Sequence, residues 1–223
     1  MLSILLLSDV HGRVSVLKNI VRSASYDIAL VAGDISNYSG GAYREVLEIL
    51  SLNIPRSIVV PGNVDPHEIA ELDIENISVI HKQIVEVSGL YVVGIGGGIG
   101  FSFWGIPYLT DIQIELFIKD IEKTLASRSI TPHVLLTHTP PKASGLDRVY
   151  SGEYVGSKKI REFVENHKPV LHVCGHIHEG RGVVRIERTV AVNPGPAMVG
   201  YYGIAKISSD KQEVTVELKR VEM

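Results

Sequence analysis

Five short polar segments carry the residue types that bind transition metals: Asp9-Val10-His11-Gly12, Gly33-Asp34, Gly62-Asn63-Val64-Asp65, Thr137-His138-Thr139-Pro140-Pro141 and Gly175-His176-Ile177-His178. Carboxylate, amide and imidazole donors without thiolate suit Mn, Fe, Zn, Co or Ni better than Ca or Mg alone. Asp9 and His11 lie two residues apart, and an extended backbone there would point both side chains toward one shared ion. Asp34 offers two oxygens, the natural bridge between two cations. Asn63 adds a neutral oxygen, and His138, His176 and His178 add ring nitrogens. Three oxygen-bearing residues and four imidazoles are more than one ion takes from protein, but they serve two ions about 3.5–4 Å apart. Such a pair generates hydroxide near neutral pH, clamps an anionic substrate and stabilises an in-line displacement. Phosphate esters are the substrate class that uses all three effects.

Each segment follows an apolar run, and those runs read as buried strands: Leu2–Leu7, Ile28–Ala32, Ser57–Val60, Tyr91–Ile95, Val134–Thr137 and Val170–Cys174. Helical spacing of apolar residues falls at Val14–Ser23, Tyr43–Leu50, Asp111–Ser127 and Ser157–His167, the last with Ser157 as N-cap. After Cys174 the pattern changes to Val183–Glu187, Thr189–Val192, Gly203–Ser208 and Glu213–Val221, which reads as an antiparallel meander. A βαβ-rich first part with a strand-rich tail predicts mixed sheets stacked face to face with helices outside, and ligands at several strand ends then converge on one sheet edge.

The 223 residues, 45% hydrophobic, suffice for a full core and are read as one domain, 1–223. A net charge of −3 argues against nucleic acid as a partner, since no strongly basic footprint is present. The single cysteine, Cys174, leaves no disulfide framework and no thiolate zinc site, which fits a reducing, cytoplasmic compartment. The apolar Met1–Leu7 stretch lacks the basic flank of a signal peptide, and no other stretch approaches the roughly 20 apolar residues of a membrane span.

The ordered set Asp-x-His-Gly, Gly-Asp, Gly-Asn-x-Asp, Thr-His-x-Pro-Pro and Gly-His-x-His resembles the calcineurin-like metallophosphoesterase superfamily from residue 8 to about residue 195. The resemblance extends to its small single-domain phosphohydrolases and phosphodiesterases. It implies a four-layer αββα sandwich, two mixed sheets flanked by helices. One metal would take Asp9, His11, Asp34 and His178, and the other Asp34, Asn63, His138 and His176. Asp34 and a hydroxide would bridge two divalent transition metal ions, Mn first and Fe, Zn, Ni or Co as alternatives. Catalysis would run through the hydroxide held by Asp34, Asn63, His138 and His176, by direct attack on phosphorus. Many members have histidine as a proton donor in Gly-Asn-His-Asp, where this chain has Val64. Leaving-group protonation then falls to water, His67 or His81, or the substrates carry acidic leaving groups, which favours phosphodiesters slightly. The alternatives are a phosphomonoesterase, or a catalytically weak metal-binding scaffold for protein partners. The expected partner is a small phosphate ester, with no membrane, and homo-oligomerisation stays open.

Other residues have structural readings. Asp65, followed by Pro66 and Glu68, reads as the N-cap of a helix with a capping box, with His67 exposed in its first turn. His81, His133, His167 and His172 read as surface or strand residues rather than ligands. Arg13 and, less strongly, Arg181 could reach a substrate phosphate, and Asn63 and His67 join Arg13 as substrate-binding candidates. The Gly94–Gly100 run lacks dinucleotide or P-loop spacing and reads as glycines that allow close backbone approach beneath the site. Phe101, Phe103, Trp104 and Tyr108 would form one pocket wall, with Asn37–Gly41 opposite.

Overall fold

The computed structural model describes residues 1–99 and 109–222. In chain order the elements are β1 (Leu2–Leu7), α1 (Val14–Arg22), β2 (Ile28–Ala32), α2 (Tyr43–Asn53), β3 (Ser57–Val60), β4 (Ile77–Val79), β5 (Gln83–Val87), β6 (Leu90–Ile95), α3 (Asp111–Arg128), β7 (Val134–Thr137), α4 (Lys158–His167), β8 (Leu171–Val173), β9 (Gly182–Ile186), β10 (Thr189–Asn193), β11 (Tyr201–Ile207) and β12 (Val214–Arg220). They build two six-stranded mixed sheets, β12-β11-β1-β2-β3-β4 and β5-β6-β7-β8-β10-β9. The strands β1 to β4 pair in parallel in the first sheet, as β6, β7, β8 and β10 do in the second.

The layers follow from side-chain alternation along strands buried on both faces. In β1, Ile4 and Leu6 enter the core between the sheets, while Leu5 and Leu7 face the helical layer that contains Leu17 and Ile20 of α1 and Leu47 and Leu50 of α2. The second sheet buries Val93 and Leu135 against Ile114 and Ile121 of α3 and Phe163 of α4. A capping box of Thr110 and Gln113 starts α3. The Ser157 hydroxyl accepts from the backbone N–H groups of Lys159 and Ile160 to start α4, the role its position predicts.

The C-terminal strands correct one expectation. They form two hairpins in different sheets rather than a single meander: β9 and β10 close the edge of the second sheet, and β11 and β12 that of the first. Tyr201–Ile207 lies antiparallel to β1, so the chain crosses between sheets after Asn193. Local alternation specifies a strand but not which sheet edge receives it. Among the described residues, no helix is long and apolar enough to cross a membrane.

Strand β8 buries His172 completely. The Thr137 hydroxyl donates to the Thr139 carbonyl (2.6 Å) and accepts from His172 Nε2 (2.9 Å), which leaves Nδ1 unprotonated and without a hydrogen-bond partner. Burial pushes the pKa of this histidine down from 6.5 to about 3. Below pH 6.5 the unfolded chain takes up a proton that the folded chain refuses, so this contribution to stability is complete above that pH and is lost as pH falls toward 3. His172→Leu is expected to flatten the acid limb of urea-derived stability by up to about 1.4 kcal/mol per pH unit. An unchanged limb would show that His172 is protonated within the fold.

Candidate metal centre

The strand ends that carry the polar segments are laced to one another by backbone. Beyond the last ladder bonds, Asp9 N donates to Gly33 O (3.0 Å), His11 N to Asp34 O (2.9 Å) and Gly12 N to Ile35 O (2.9 Å), so the turn after β1 is tied to the turn after β2. Asp9, His11, Asp34 and His176 all have positive φ, between 44° and 69°. The expectation of an extended backbone at Asp9 and His11 is therefore overturned. The side chains converge through left-handed turns, a conformation that costs an L-residue about 1–2 kcal/mol and persists where the surroundings enforce it. On the second sheet, Gly175 N donates to His138 O (3.0 Å) and His176 N to Asp9 Oδ2 (3.2 Å), the latter joining the two sheets. A Cβ at Gly62 would overlap the Asp34 carboxylate, and one at Gly175 would overlap the Ser8 hydroxyl, so both positions need glycine for the loops to close.

Donor atoms of Asp9, His11 and His178 lie within 4.8 Å of one another, as do those of Asp9, Asp34 and His138. His11 Nε2 and His178 Nε2 face each other at 3.4 Å, and they lie 3.9 and 3.3 Å from Asp9 Oδ1. That oxygen is buried and has no hydrogen-bond partner. Two ring nitrogens and an orphaned carboxylate oxygen aimed at one point fit a cation there. Asp34 Oδ2 sits 3.9 Å from His11 Nε2 and 3.4 Å from His138 Nε2, between the two groups. Asn63 Oδ1 is 3.0 Å from His138 Nε2, and the His176 ring packs edge-on against His138 with centroids 4.9 Å apart. The geometry thus brings together all seven sequence-predicted ligands, with Asp9 common to both clusters and Asp34 in the second, 3.9 Å from His11 of the first.

Two hydrogen bonds select tautomers. His138 Nδ1 lies 2.6 Å from Ala32 O and His176 Nε2 lies 2.7 Å from Ile99 O, and since a carbonyl only accepts, both nitrogens carry hydrogen. In the neutral rings, the form that binds a cation, the lone pairs are then at His138 Nε2 and His176 Nδ1. Burial disfavours the charged form of His138, yet the charge and hydrogen bond of Asp34 and the charge of Asp9 outweigh it and raise its pKa to about 9. Burial also opposes ionisation of Asp9 and Asp34, but the surrounding histidines hold both carboxyls below the usual range. The neighbouring Asp9 carboxylate raises His178, whereas burial and the His138 charge lower His176.

The sequence matches the family model described as Calcineurin-like phosphoesterase over residues 2–180. The chain belongs to the calcineurin-like phosphoesterases. Among curated relatives, the uncharacterized protein MJ1162 of Methanocaldococcus jannaschii is 29% identical over 207 residues, covering 90% of this chain and 91% of its own length. A UPF0046 protein of Caenorhabditis elegans is 28% identical over 193 residues, 75% of this chain and 66% of its own. The crystal structure of TT1561 of Thermus thermophilus superposes with a TM-score of 0.73 at 19% identity, covering 99% of both chains, and shares the fold.

Within this family member the remaining candidate residues divide by what they touch. Asp65 is not a helix cap. The 3₁₀ turn His67–Glu71 has Pro66 at its N-cap and no side-chain cap, and Asp65 is fully buried. Its carboxylate accepts from Gly62 N (2.7 Å), Ser36 N (2.7 Å) and Ile35 N (3.3 Å), which ties the loop after β3 to the loop after β2. Burial and the Asp34 charge raise its pKa. A capping signature and a loop clamp share the same Asp-Pro-x-Glu letters, and only the fold brings Ile35 and Ser36 within reach.

Arg181 is also structural: its guanidinium donates to Pro194 O (3.2 Å) and Lys219 O (3.3 Å) and lies over the Tyr201 ring. Arg13 is exposed at the start of α1 and does not cap it, and His67 is exposed. His81 Nδ1 accepts from Gly96 N (3.1 Å), and burial lowers its pKa to about 4. Gly96 and Gly98 allow the close approach expected of the glycine run, Gly96 against Pro61 and Gly98 against Asn63 and His176. The wall expected from Phe101, Phe103, Trp104 and Tyr108 lies outside the described residues, as does Gly100. On the Asn37–Gly41 side, Tyr38 stacks on His11 with centroids 4.4 Å apart and remains 52% exposed.

Two positioning residues escaped the sequence reading. Ser8 hydrogen-bonds the Asp9 carboxylate, and Asn193 donates to Ile177 O (2.8 Å) while accepting from Gly195 N (2.9 Å), holding the chain between His176 and His178. Asp65→Asn is expected to cost about 1–3 kcal/mol, because an NH₂ group replaces one acceptor oxygen opposite a buried N–H. Chemical denaturation measures it, and a loss below about 0.5 kcal/mol would remove Asp65 from the role of clamp.

Proposed function

We propose that this phosphoesterase hydrolyses phosphate esters at a centre of two divalent transition metals, one held by Asp9, His11, Asp34 and His178 and the other by Asp34, Asn63, His138 and His176. The observation that carries the reading is the position of Asp34 Oδ2 between His11 Nε2 and His138 Nε2, beside an orphaned Asp9 oxygen. When bound, the two cations would supply Lewis acidity toward a phosphoryl oxygen and toward a water nucleophile. Manganese is the metal of first choice, with Fe, Zn, Ni and Co compatible with the same donors. We place the protein in the cytoplasm and read residues 1–223 as one domain.

The chain's own groups then set which esters react. Val64 is buried, its backbone N–H donates to Asp34 Oδ1 (3.0 Å), and its side chain has no proton to give. His81 is neutral near pH 7, since burial holds its pKa near 4, so it is not a cationic acid for the leaving group. His67 and solvent remain as proton sources, and Arg13 and His67 are the exposed groups proposed to meet the substrate, together with the Asn63 amide. Without a dedicated acid, esters with acidic leaving groups are favoured. A diester also brings less negative charge to the two carboxylates than a monoester does, which supports a slight preference for phosphodiesters.

Metal analysis of purified protein is expected to find two ions per chain, falling to one or none in Asp34→Ala. With Mn²⁺ supplied, a bis-aryl phosphate diester should turn over faster than the aryl monoester; the reverse order makes the enzyme a phosphomonoesterase. Val64→His is expected to raise alkyl-ester turnover relative to aryl-ester turnover, by up to about 10²-fold. An unchanged ratio would show that leaving-group protonation does not limit the reaction.

A further inference from the structure

At the opposite ends of β7 and β8 from the metal centre, a second concave site gathers positive charge. It is a cavity of about 230 Å³ whose polar lining is His133, Lys168, Arg188, Lys211, Gln212 and Thr131. Among the described residues, no acidic one lines it. The cations come from separate parts of the chain: Lys168 closes α4, Arg188 sits in the β9–β10 turn and Lys211 in the β11–β12 turn. Lys211 belongs to the hairpin of the first sheet and the others to the second, so the cavity spans the ends of both.

These groups are held rather than loosely displayed. Arg188 Nε donates to Lys168 O (2.9 Å), which leaves the outer guanidinium nitrogens for another acceptor. Lys211 Nζ donates to Gly89 O (2.5 Å), using one of its three hydrogens. His133 Nδ1 accepts from Tyr91 N (3.0 Å), so Nε2 carries the ring hydrogen and is a donor, and the ring stacks on Tyr91. Burial and, after it, the Lys211 charge lower the His133 pKa, which keeps the ring neutral. Lys168 and Lys211 both stand at positive φ, 48° and 59°, where glycine or asparagine is the ordinary residue. An exposed pair with Glu187 (3.6 Å) partly offsets Lys168, while Arg188 and Lys211 have no carboxylate partner among the described residues.

We propose that this cavity is a second anion site, taking a compact, doubly charged oxyanion of the phosphate type. Three cations sharing one recess in a chain of net charge −3 repel one another unless an anion joins them. A guanidinium and two ammonium groups supply charge-assisted donors and the His133 ring N–H a neutral one, from several sides, the arrangement that suits an oxyanion. The volume falls below the roughly 300–1,000 Å³ of sites for drug-sized ligands, which matches a small occupant. The site is independent of the reaction at the metal centre.

The test is an amide NMR titration of the full-length, Zn²⁺-loaded protein with inorganic phosphate and, separately, glycerol phosphate at pH 7.5, against chloride at equal ionic strength. Saturable shifts are expected at His133, Lys168, Arg188 and Lys211. They should weaken at least about tenfold in the double variant Arg188→Gln, Lys211→Gln, and likewise in Gln212→Glu, which places a carboxylate in the lining at an exposed position. Shifts at the metal centre should persist in both variants. Tighter binding of glycerol phosphate identifies an ester as the occupant, and equal binding a free oxyanion. Shifts that rise linearly, that chloride reproduces, or that survive in both variants would overturn the proposal.

Discussion

Two carboxylates, Asp9 and Asp34, are buried where the two sheets meet, and among the described residues the groups that pair with them are histidines, not lysine or arginine. Burying an anion without a permanent counter-charge is among the costliest arrangements a fold can hold. Here imidazoles carry the balance, and the charges of Asp34 and Asp9 raise the His138 pKa against the cost of its burial. The surrounding architecture can be understood as what keeps these anions in place. Left-handed turns aim them, glycines at 62 and 175 let the loops close over them, and Asp65 locks the two loops that flank Asp34.

That constraint explains why the strain lies where it does. Four of the seven predicted ligands adopt positive φ, and three of those four lie in the paired turns after β1 and β2. Each turn satisfies its own backbone through the other, so neither conformation stands without its neighbour. His138 adds a cross-sheet tie by donating from Nδ1 to Ala32 O, which spends one ring nitrogen on structure and reserves the other for the centre. The same division is made at His176 with Ile99 O. Second contacts of this kind fix tautomer and ring orientation, which a donor set needs before it can select an ion.

Much was legible in the chain. The apolar runs at 2–7, 28–32, 57–60 and 134–137 coincide with strands because residues buried on both faces leave a continuous hydrophobic record. The seven ligand candidates were visible because their side-chain chemistry is specific and they follow those runs in order. Less was legible in Ile77–Val79 and Gln83–Val87, edge strands whose faces are partly exposed and whose pattern is correspondingly weak. The sheet assignment of the two C-terminal hairpins was hidden for a different reason, since alternation is satisfied equally well by either sheet.

By itself the sequence determined the residue types, their order and their placement after buried strands, and these are properties of local pattern and donor chemistry. Tertiary structure decided how the side chains converge, because left-handed turns and cross-loop hydrogen bonds exist only once β1 and β2 are paired. It also reassigned Asp65 from a cap to a clamp and Arg181 from a candidate phosphate ligand to a structural tie, and it gathered Lys168, Arg188 and Lys211 around one cavity. These residues act through partners distant in sequence, and no local spacing records a contact that forms when the two sheets stack.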